Sequence, residues 1–353
     1  MVQTSYWFIT YPFRSYQTVP NLTPNTALSF GEALKVDRGL VSEMGSCCGE
    51  NTSPPAIDLQ DGGSTPARSR KLIEACQEWG CFRVYNHNSI LPPSLAMEMK
   101  EVVRSLFDLP PEIKKRNAGV LPGGGYVGPT PANPLYEAFG LYDMSSPPDV
   151  EAFCAQIHAS HHQRETIMRY AKAVHEVMIV IGRRLCEGLG LKGDDLFEGW
   201  PCQFRINKYH FTPESVGSSG VQIHTDSGFL TVLQDDESVG GLEVMNKSGE
   251  FVAVDPCPGT LLLNLGDMAT VWSNGRFCNV KHRVMCKEPT VRFSIASFLL
   301  GPREDAIQPP PELLEPPHLR RLYVPITYDK LRQLRLDNNM RAGEVLSLLL
   351  AEN

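Results

Sequence analysis

No run of apolar residues in this 353-residue chain approaches the roughly 18–20 that a membrane-crossing helix requires. The aromatic stretch at residues 6–13 is short and broken by Pro12. Residues 1–50 lack the charged start and long apolar middle of a signal peptide, and Glu32, Asp37, Glu43 and Glu50 weigh against a transit peptide. None of the ten cysteines falls in a CxxC pair, and a chain of this length has no need of a disulfide framework. Buried free thiols in a reducing compartment are the expectation, and the cytoplasm is the expected location. No Lys/Arg run or basic stripe is present and the net charge is −7, so neither nucleic acid nor a membrane is expected as a partner. A small anionic substrate stays compatible, because a local pocket need not follow the global charge. No internal repeat and no low-complexity tract is found.

Turn residues are plentiful by contrast: 29 glycines and 28 prolines, with 42% hydrophobic residues, suit a globular fold dense in turns. Four stretches follow. Residues 1–54 read as an irregular N-terminal extension, with Met44 as an alternative start. Residues 55–200 read as mixed but mostly helical. Residues 201–303 read as β-rich, and 304–353 as a C-terminal tail ending in a helix. Thr65 and Pro66 open one helix, with Leu72, Ile73, Cys76 and Trp79 at helical spacing. Leu95, Met99, Val102, Val103, Leu106 and Phe107 mark a second over 94–107, and 163–190 a long third. Cys81–Tyr85 reads as a strand. From Gln203 onward, short strands are expected at 203–209, 220–223, 229–234, 241–245, 251–254, 260–265, 279–284 and 291–299. Gly240-Gly241, Ser248-Gly249, Pro258-Gly259 and Asn274-Gly275 punctuate them. This spacing favours a mixed α+β protein with a double-sheet jelly-roll core over a parallel α/β sheet.

His224-Thr225-Asp226 places an imidazole and a carboxylate two residues apart, on one face if the segment is a strand. His282 lies near another expected strand, and a barrel can bring it beside the first pair. Two neutral nitrogens and one carboxylate on one octahedral face leave three positions open, the facial triad of non-haem Fe(II) oxygenases. An HxD pair alone is more often a surface hydrogen bond. Arg292-Phe293-Ser294 changes that weighing: a guanidinium fork and a hydroxyl on one strand face can clamp a carboxylate. Asn207 and Tyr209 add an amide and a phenol on the opening strand. Together these make a pocket in which a dicarboxylate chelates iron at one end and is clamped at the other.

The segments HTDSGFLTVLQDD, VGGLEV, NVKHRV and RFSIASFLLGP resemble the plant 2-oxoglutarate/Fe(II)-dependent dioxygenase superfamily. PAIDLQD (55–61), EWGCFRVYNH (78–87) and LFDLPPEIKK (106–115) are similar to its N-terminal region. The resemblance spans roughly residues 55–335. It implies a distorted double-stranded β-helix (jelly-roll) core flanked by helices, iron on His224, Asp226 and His282, and 2-oxoglutarate on Arg292, Ser294 and Tyr209 with Asn207 in support. It also implies O2 as cosubstrate and ascorbate as reductant. Asn88 and His210 depart from the family, which usually has Gly and Pro there. NPLYEAFGLYD (133–143), CQFRINKYHF (202–211) and WSNGRFCNVKHRV (272–284) look most like the dioxygenases for auxin oxidation, which convert indole-3-acetic acid to 2-oxindole-3-acetic acid.

An aromatic carboxylic acid substrate calls for an aromatic wall and one cation. Phe298 shares the face of Arg292 by parity, and Phe139, Tyr126 and Trp272 are further candidates, although core packing explains each of them equally well. Arg205 and Lys208 are the candidate cations, and parity lets at most one face the pocket. Two other readings stand beside this one. The same chemistry could act on a gibberellin, a flavonoid or another phenolic, or the fold could serve as a catalytically dead ligand sensor. A metal-binding storage jelly roll has no reason to carry the RxS clamp.

Overall fold

The structure, a computed structural model, describes residues 53–60, 66–119, 124–131, 133–192, 196–314 and 320–351. The expected extension over 1–54 lies outside these apart from Ser53 and Pro54, as does the cap expected at Thr65.

The first half runs β1 (Ala56–Asp58), α1 (Pro66–Glu78), β2 (Cys81–Tyr85), α2 (Pro93–Phe107), α3 (Pro111–Lys114), β3 (Tyr136–Leu141), α4 (Pro147–Gln156) and α5 (His161–Leu189). The second runs β4 (Cys202–Tyr209), β5 (Ser219–His224), β6 (Leu230–Gln234), β7 (Leu242–Met245), β8 (Phe251–Ala253), β9 (Leu261–Leu265), α6 (Asp267–Trp272), β10 (His282–Met285), β11 (Arg292–Leu299) and α7 (Tyr328–Asp337).

Local chemistry explains the long helices. Pro93 starts α2, where its missing N–H costs nothing, and the expected stripe from Leu95 to Phe107 is buried. Each such side chain contributes roughly 1.5–3 kcal/mol by leaving water. Ser160 and Gln163 form a capping box at the start of α5, and Gly190 ends it in the left-handed region at φ 70°.

The strands form two sheets. The larger has the order β1-β2-β9-β6-β11-β4-β3 and the smaller β5-β10-β7-β8. All described pairings are antiparallel except β1 with β2. This is the jelly-roll core read from the sequence. The stretch read as mostly helical supplies three of the seven strands of the larger sheet, β1, β2 and β3. Helices cover that sheet's outer face: Phe204 of β4 meets Tyr170 of α5 at 6.0 Å between ring centroids. The inner face meets the smaller sheet, and a separate apolar cluster fills the gap, including Tyr136, Tyr209, Leu242, Val244, Leu262 and Val284.

Candidate metal and cosubstrate site

Alternation fixes which side chains look into the barrel. In β11, Arg292, Ser294, Ala296 and Phe298 share a face. Their partners across β4 are Tyr209, Asn207, Arg205 and Gln203. On the other side, Phe298 pairs with Thr231 of β6, which pairs with Asn264 of β9. Thr231 and Asn264 both donate to Oδ2 of Asp226, at 2.5 and 2.7 Å. This face is therefore the one that looks toward the His-Asp-His group.

His224 ends β5 and His282 begins β10, directly opposite each other in the ladder. Their rings lie 4.1 Å apart between centroids. Asp226 reaches them from the irregular segment after β5, not from the strand itself, so strand alternation is not what brings it to His224. Its Oδ1 is 3.7 Å from Nε2 of His224 and 3.8 Å from Nε2 of His282. All three ligand atoms lie within 4.8 Å of one another. Cis ligands on an octahedral ion with bonds of about 2.1 Å sit about 3 Å apart, so small side-chain shifts close the set around one ion. Nδ1 of His224 faces the carbonyl of Gln222 at 2.9 Å, and Nδ1 of His282 that of Val280 at 3.2 Å. Those hydrogen bonds hold the proton on Nδ1 and leave Nε2 as the lone-pair donor. Burial, then His282 beside it, pushes His224 down to about 4, so its ring is neutral near pH 7. Burial works to raise Asp226, but His282, His224, Thr231 and Asn264 more than offset it and keep a carboxylate.

Gly266, just after β9, lies under this group. A Cβ there would come within 2.6 Å of the Asp226 carbonyl oxygen and 2.3 Å of that of Gly228. Only a residue without a side chain lets the two backbones approach so closely.

Arg292 is 1% exposed. Its Nη2 pairs with the Asp235 carboxylate, and its guanidinium carbon lies 5.1 Å from the Tyr209 ring centroid. Nε and Nη1 are buried with no protein partner. Orphaned buried donors are costly, and an anionic guest would satisfy them. Ser294 accepts from Nδ2 of Asn207 at 3.3 Å, and Oδ1 of Asn207 accepts from the Tyr136 hydroxyl at 2.7 Å. Burial keeps the Tyr209 phenol protonated well beyond neutral pH despite the nearby Arg292. The residues present thus fit a carboxylate bound at one end and a metal ion held at the other.

Of the expected aromatic wall, Phe298 faces the site. Phe139 does not: it lies on the outer face of β3 among Phe107, Tyr126 and Phe153. Tyr126 donates to Glu137 at 2.6 Å, also on that outer side. Trp272 on α6 packs against Phe229 and Phe277 in the helical core. Between the two cations the structure separates cleanly. Lys208 points outward over the rings of Phe107 and Phe293. Arg205 points inward and donates to the Tyr136 hydroxyl at 3.3 Å and the Gly125 carbonyl at 3.4 Å. Gly140 beside it has no room for a side chain: a Cβ would lie 1.8 Å from the Gly124 carbonyl oxygen and 3.1 Å from Nη1 of Arg205.

Sequence reading missed Thr231, Asp235 and Asn264. Thr231 and Asn264 carried a signal: Asn264 is the one polar residue in the strand LLLNL, and Thr231 shares its face of β6 with the apolar Leu233; Asp235 follows just past the end of β6.

Known proteins agree with this geometry. The profile of the 2OG-Fe(II) oxygenase superfamily matches residues 200–301, and that of the non-haem dioxygenase in morphine synthesis N-terminal region matches 54–134. The 2-oxoglutarate-dependent dioxygenase DAO of Oryza sativa subsp. indica is 53% identical over 300 residues, covering 84% of this chain and 99% of that protein. The crystal structure of dioxygenase for auxin oxidation in rice superposes with a TM-score of 0.77 at 52% identity, covering 84% of this chain and 99% of that one. Dioxygenase for auxin oxidation 1 from Arabidopsis thaliana, in its binary complex with 2-oxoglutarate, superposes with a TM-score of 0.72 at 56% identity, covering 75% and 99%. This chain belongs to the 2-oxoglutarate- and Fe(II)-dependent oxygenase superfamily, and is an oxidoreductase that uses iron(II) and 2-oxoglutarate on a small-molecule substrate.

Proposed function

We propose that this enzyme oxidises the auxin indole-3-acetic acid to 2-oxindole-3-acetic acid. The observation that carries the reading is the 53% identity to a dioxygenase named DAO over 99% of that protein's length. The inward cation and the inward aromatic ring on the metal-facing surface support it.

In this reading His224, Asp226 and His282 hold iron(II) and leave three positions for guests. Arg292 takes the far carboxylate of 2-oxoglutarate, with Ser294, Tyr209 and Asn207 shaping the cradle. Iron(II) held there would supply the redox chemistry, coupling O2 to the oxidative decarboxylation of 2-oxoglutarate to succinate and CO2. The protein contributes position and dryness. Arg205, two residues from Asn207 on the same face, takes the substrate's carboxylate. Phe298, across the ladder from Thr231, lies against its ring. Ascorbate would serve as an external reductant keeping such an ion as iron(II). The described cysteines are free thiols, in keeping with the cytosol, where we place the enzyme.

The test is a substrate panel with the purified full chain, iron(II) and 2-oxoglutarate. Succinate release should be driven by indole-3-acetate, with a product one oxygen atom heavier. Strong turnover of a gibberellin or a flavonoid with none on indole-3-acetate would refute the assignment. Absence of 2-oxoglutarate consumption with every candidate would favour a ligand sensor.

A further inference from the structure

The C-terminal helix reaches back to the segment between two of the candidate ligands. Arg335, on α7, has a side chain only 13% exposed. Its Nη1 donates to the Asp267 carboxylate and, at 3.3 Å, to Oγ1 of Thr225. Its Nη2 donates to the carbonyls of Thr225 and Arg341, each at 2.8 Å. Thr225 is the residue between His224 and Asp226, and its own N–H donates to the Arg341 carbonyl at 2.9 Å. Asp267, fully buried at the start of α6, also accepts from Nδ2 of Asn279 at 2.7 Å. Asn279 stands three residues before His282. The backbone N–H of Asp267 donates to the Asp226 carbonyl at 2.9 Å. One buried ion pair is therefore tied to both chain segments that carry the His-Asp-His group.

The tie falls where the sheet gives none. The ladder ends at His224, so residues 225 and 226 have no strand partners. Buried backbone groups need hydrogen bonds, and here the C-terminal segment and α6 provide them. A guanidinium is a planar fork whose direction is fixed by what it binds, so four acceptors on one Arg orient the loop as well as hold it.

We propose that Arg335 and Asp267 form a strut that sets the metal-binding side chains in place, acting as positioning residues that touch neither metal nor cosubstrate. The inference rests on the reading of His224, Asp226 and His282 as ligands. Partners one layer outside a metal site typically change affinity by about tenfold to a hundredfold when removed.

The test is a Mn(II) titration of the metal-free full chain, followed by the loss of the free-ion electron paramagnetic resonance signal. Wild type, Arg335→Met and Arg335→Lys are compared, with circular dichroism melts of the metal-free proteins alongside. Arg335→Met should weaken Mn(II) binding by about tenfold to a hundredfold, and Arg335→Lys by less in the same direction. Lysine keeps the charge facing Asp267 but cannot span both carbonyls, and it carries the test should Arg335→Met not fold. A purely structural role would lower the unfolding temperature and leave the folded protein's affinity alone. Folded variants that bind within about twofold of wild type would overturn the strut. A wild type that binds no Mn(II) would overturn the ligand reading itself, and the strut with it.

Discussion

Asn264 holds Oδ2 of Asp226 at 2.7 Å, which leaves Oδ1 as the oxygen facing His224 and His282. The carboxylate is thereby divided between a structural side and an open side. Asn264→Ala should remove one of its two side-chain donors and weaken Mn(II) binding by about tenfold or more, while the fold survives. Thr231→Val should do the same to a similar extent. Metal titration of the two single variants and the double variant checks this, and a double variant with wild-type affinity would contradict it.

The clamp separates from the metal centre. Arg292→Met should bind Mn(II) as wild type does and raise the 2-oxoglutarate requirement by orders of magnitude, since one partner of a buried charge pair costs about 3–5 kcal/mol. Steady-state kinetics in 2-oxoglutarate reads the effect. An unchanged requirement would mean that another cation takes the cosubstrate.

Asp235 balances the same arginine from behind. Burial pushes its carboxyl above the usual range and Arg292 pulls it back. Asp235→Asn leaves Arg292 buried with less compensation, so the metal-free variant should melt lower than wild type. A bound 2-oxoglutarate would then supply the missing negative charge. The rise in melting temperature on adding Mn(II) and 2-oxoglutarate together should be larger in Asp235→Asn than in wild type. A smaller rise would show that Asp235 helps the cosubstrate bind instead.

Arg205 should govern the substrate's acid group. Arg205→Met should raise KM for indole-3-acetate by about tenfold to a hundredfold, the worth of a charge-assisted hydrogen bond, and leave KM for 2-oxoglutarate alone. Lys208→Met should leave both unchanged, because Lys208 lies over Phe107 and Phe293 on the far face of the sheet.

Acid stability has a specific source outside the site. Glu137 accepts from Lys114 at 2.5 Å, Tyr126 at 2.6 Å and His210 at 3.1 Å. Burial works to raise its carboxyl, but those partners more than offset it and hold it at about 2 against an ordinary 4.5. The folded state therefore resists a proton that the unfolded chain accepts. That stability is fully present above about 4.5 and is lost as pH falls toward about 2. It amounts to about 3 kcal/mol. Urea melts of Glu137→Gln should show lower stability at pH 7 and a flatter loss between pH 4.5 and pH 2 than wild type.

Much of this was legible in the chain. The strands from Cys202 to Leu299 announced themselves by their short, regular spacing and by glycine turns: Gly249, Gly259 and Gly275 all adopt positive φ. His224, His282, Arg292 and Ser294 could be found by type and spacing alone. Other features were hidden for physical reasons. Strand β3 is buried on both faces, Tyr136, Ala138 and Gly140 inward and Glu137, Phe139 and Leu141 outward beneath the helices, so its pattern does not read as a strand with one apolar face. Helix α6 is six residues long between a strand and a turn, too short for a periodic signal. Phe139 and Trp272 are aromatic for the core and not for the pocket, a distinction set by which face of an element is covered. Asp226 converges on the histidines through a loop held by the distant Arg335, and no local pattern encodes that contact.

One ion and one acid, by where they sit, decide whether His224, Asp226 and His282 form the metal site and Arg205 and Phe298 the substrate pocket. A crystal grown without oxygen, with iron(II), 2-oxoglutarate and indole-3-acetate, measures both through the anomalous signal of iron and the ligand density. The expected result is a single iron peak ligated by His224 Nε2, Asp226 Oδ1 and His282 Nε2, with the far carboxylate of 2-oxoglutarate on Arg292 and the indole acid between Phe298 and Arg205. An iron peak away from those three side chains, or an indole acid bound outside the barrel, would contradict it.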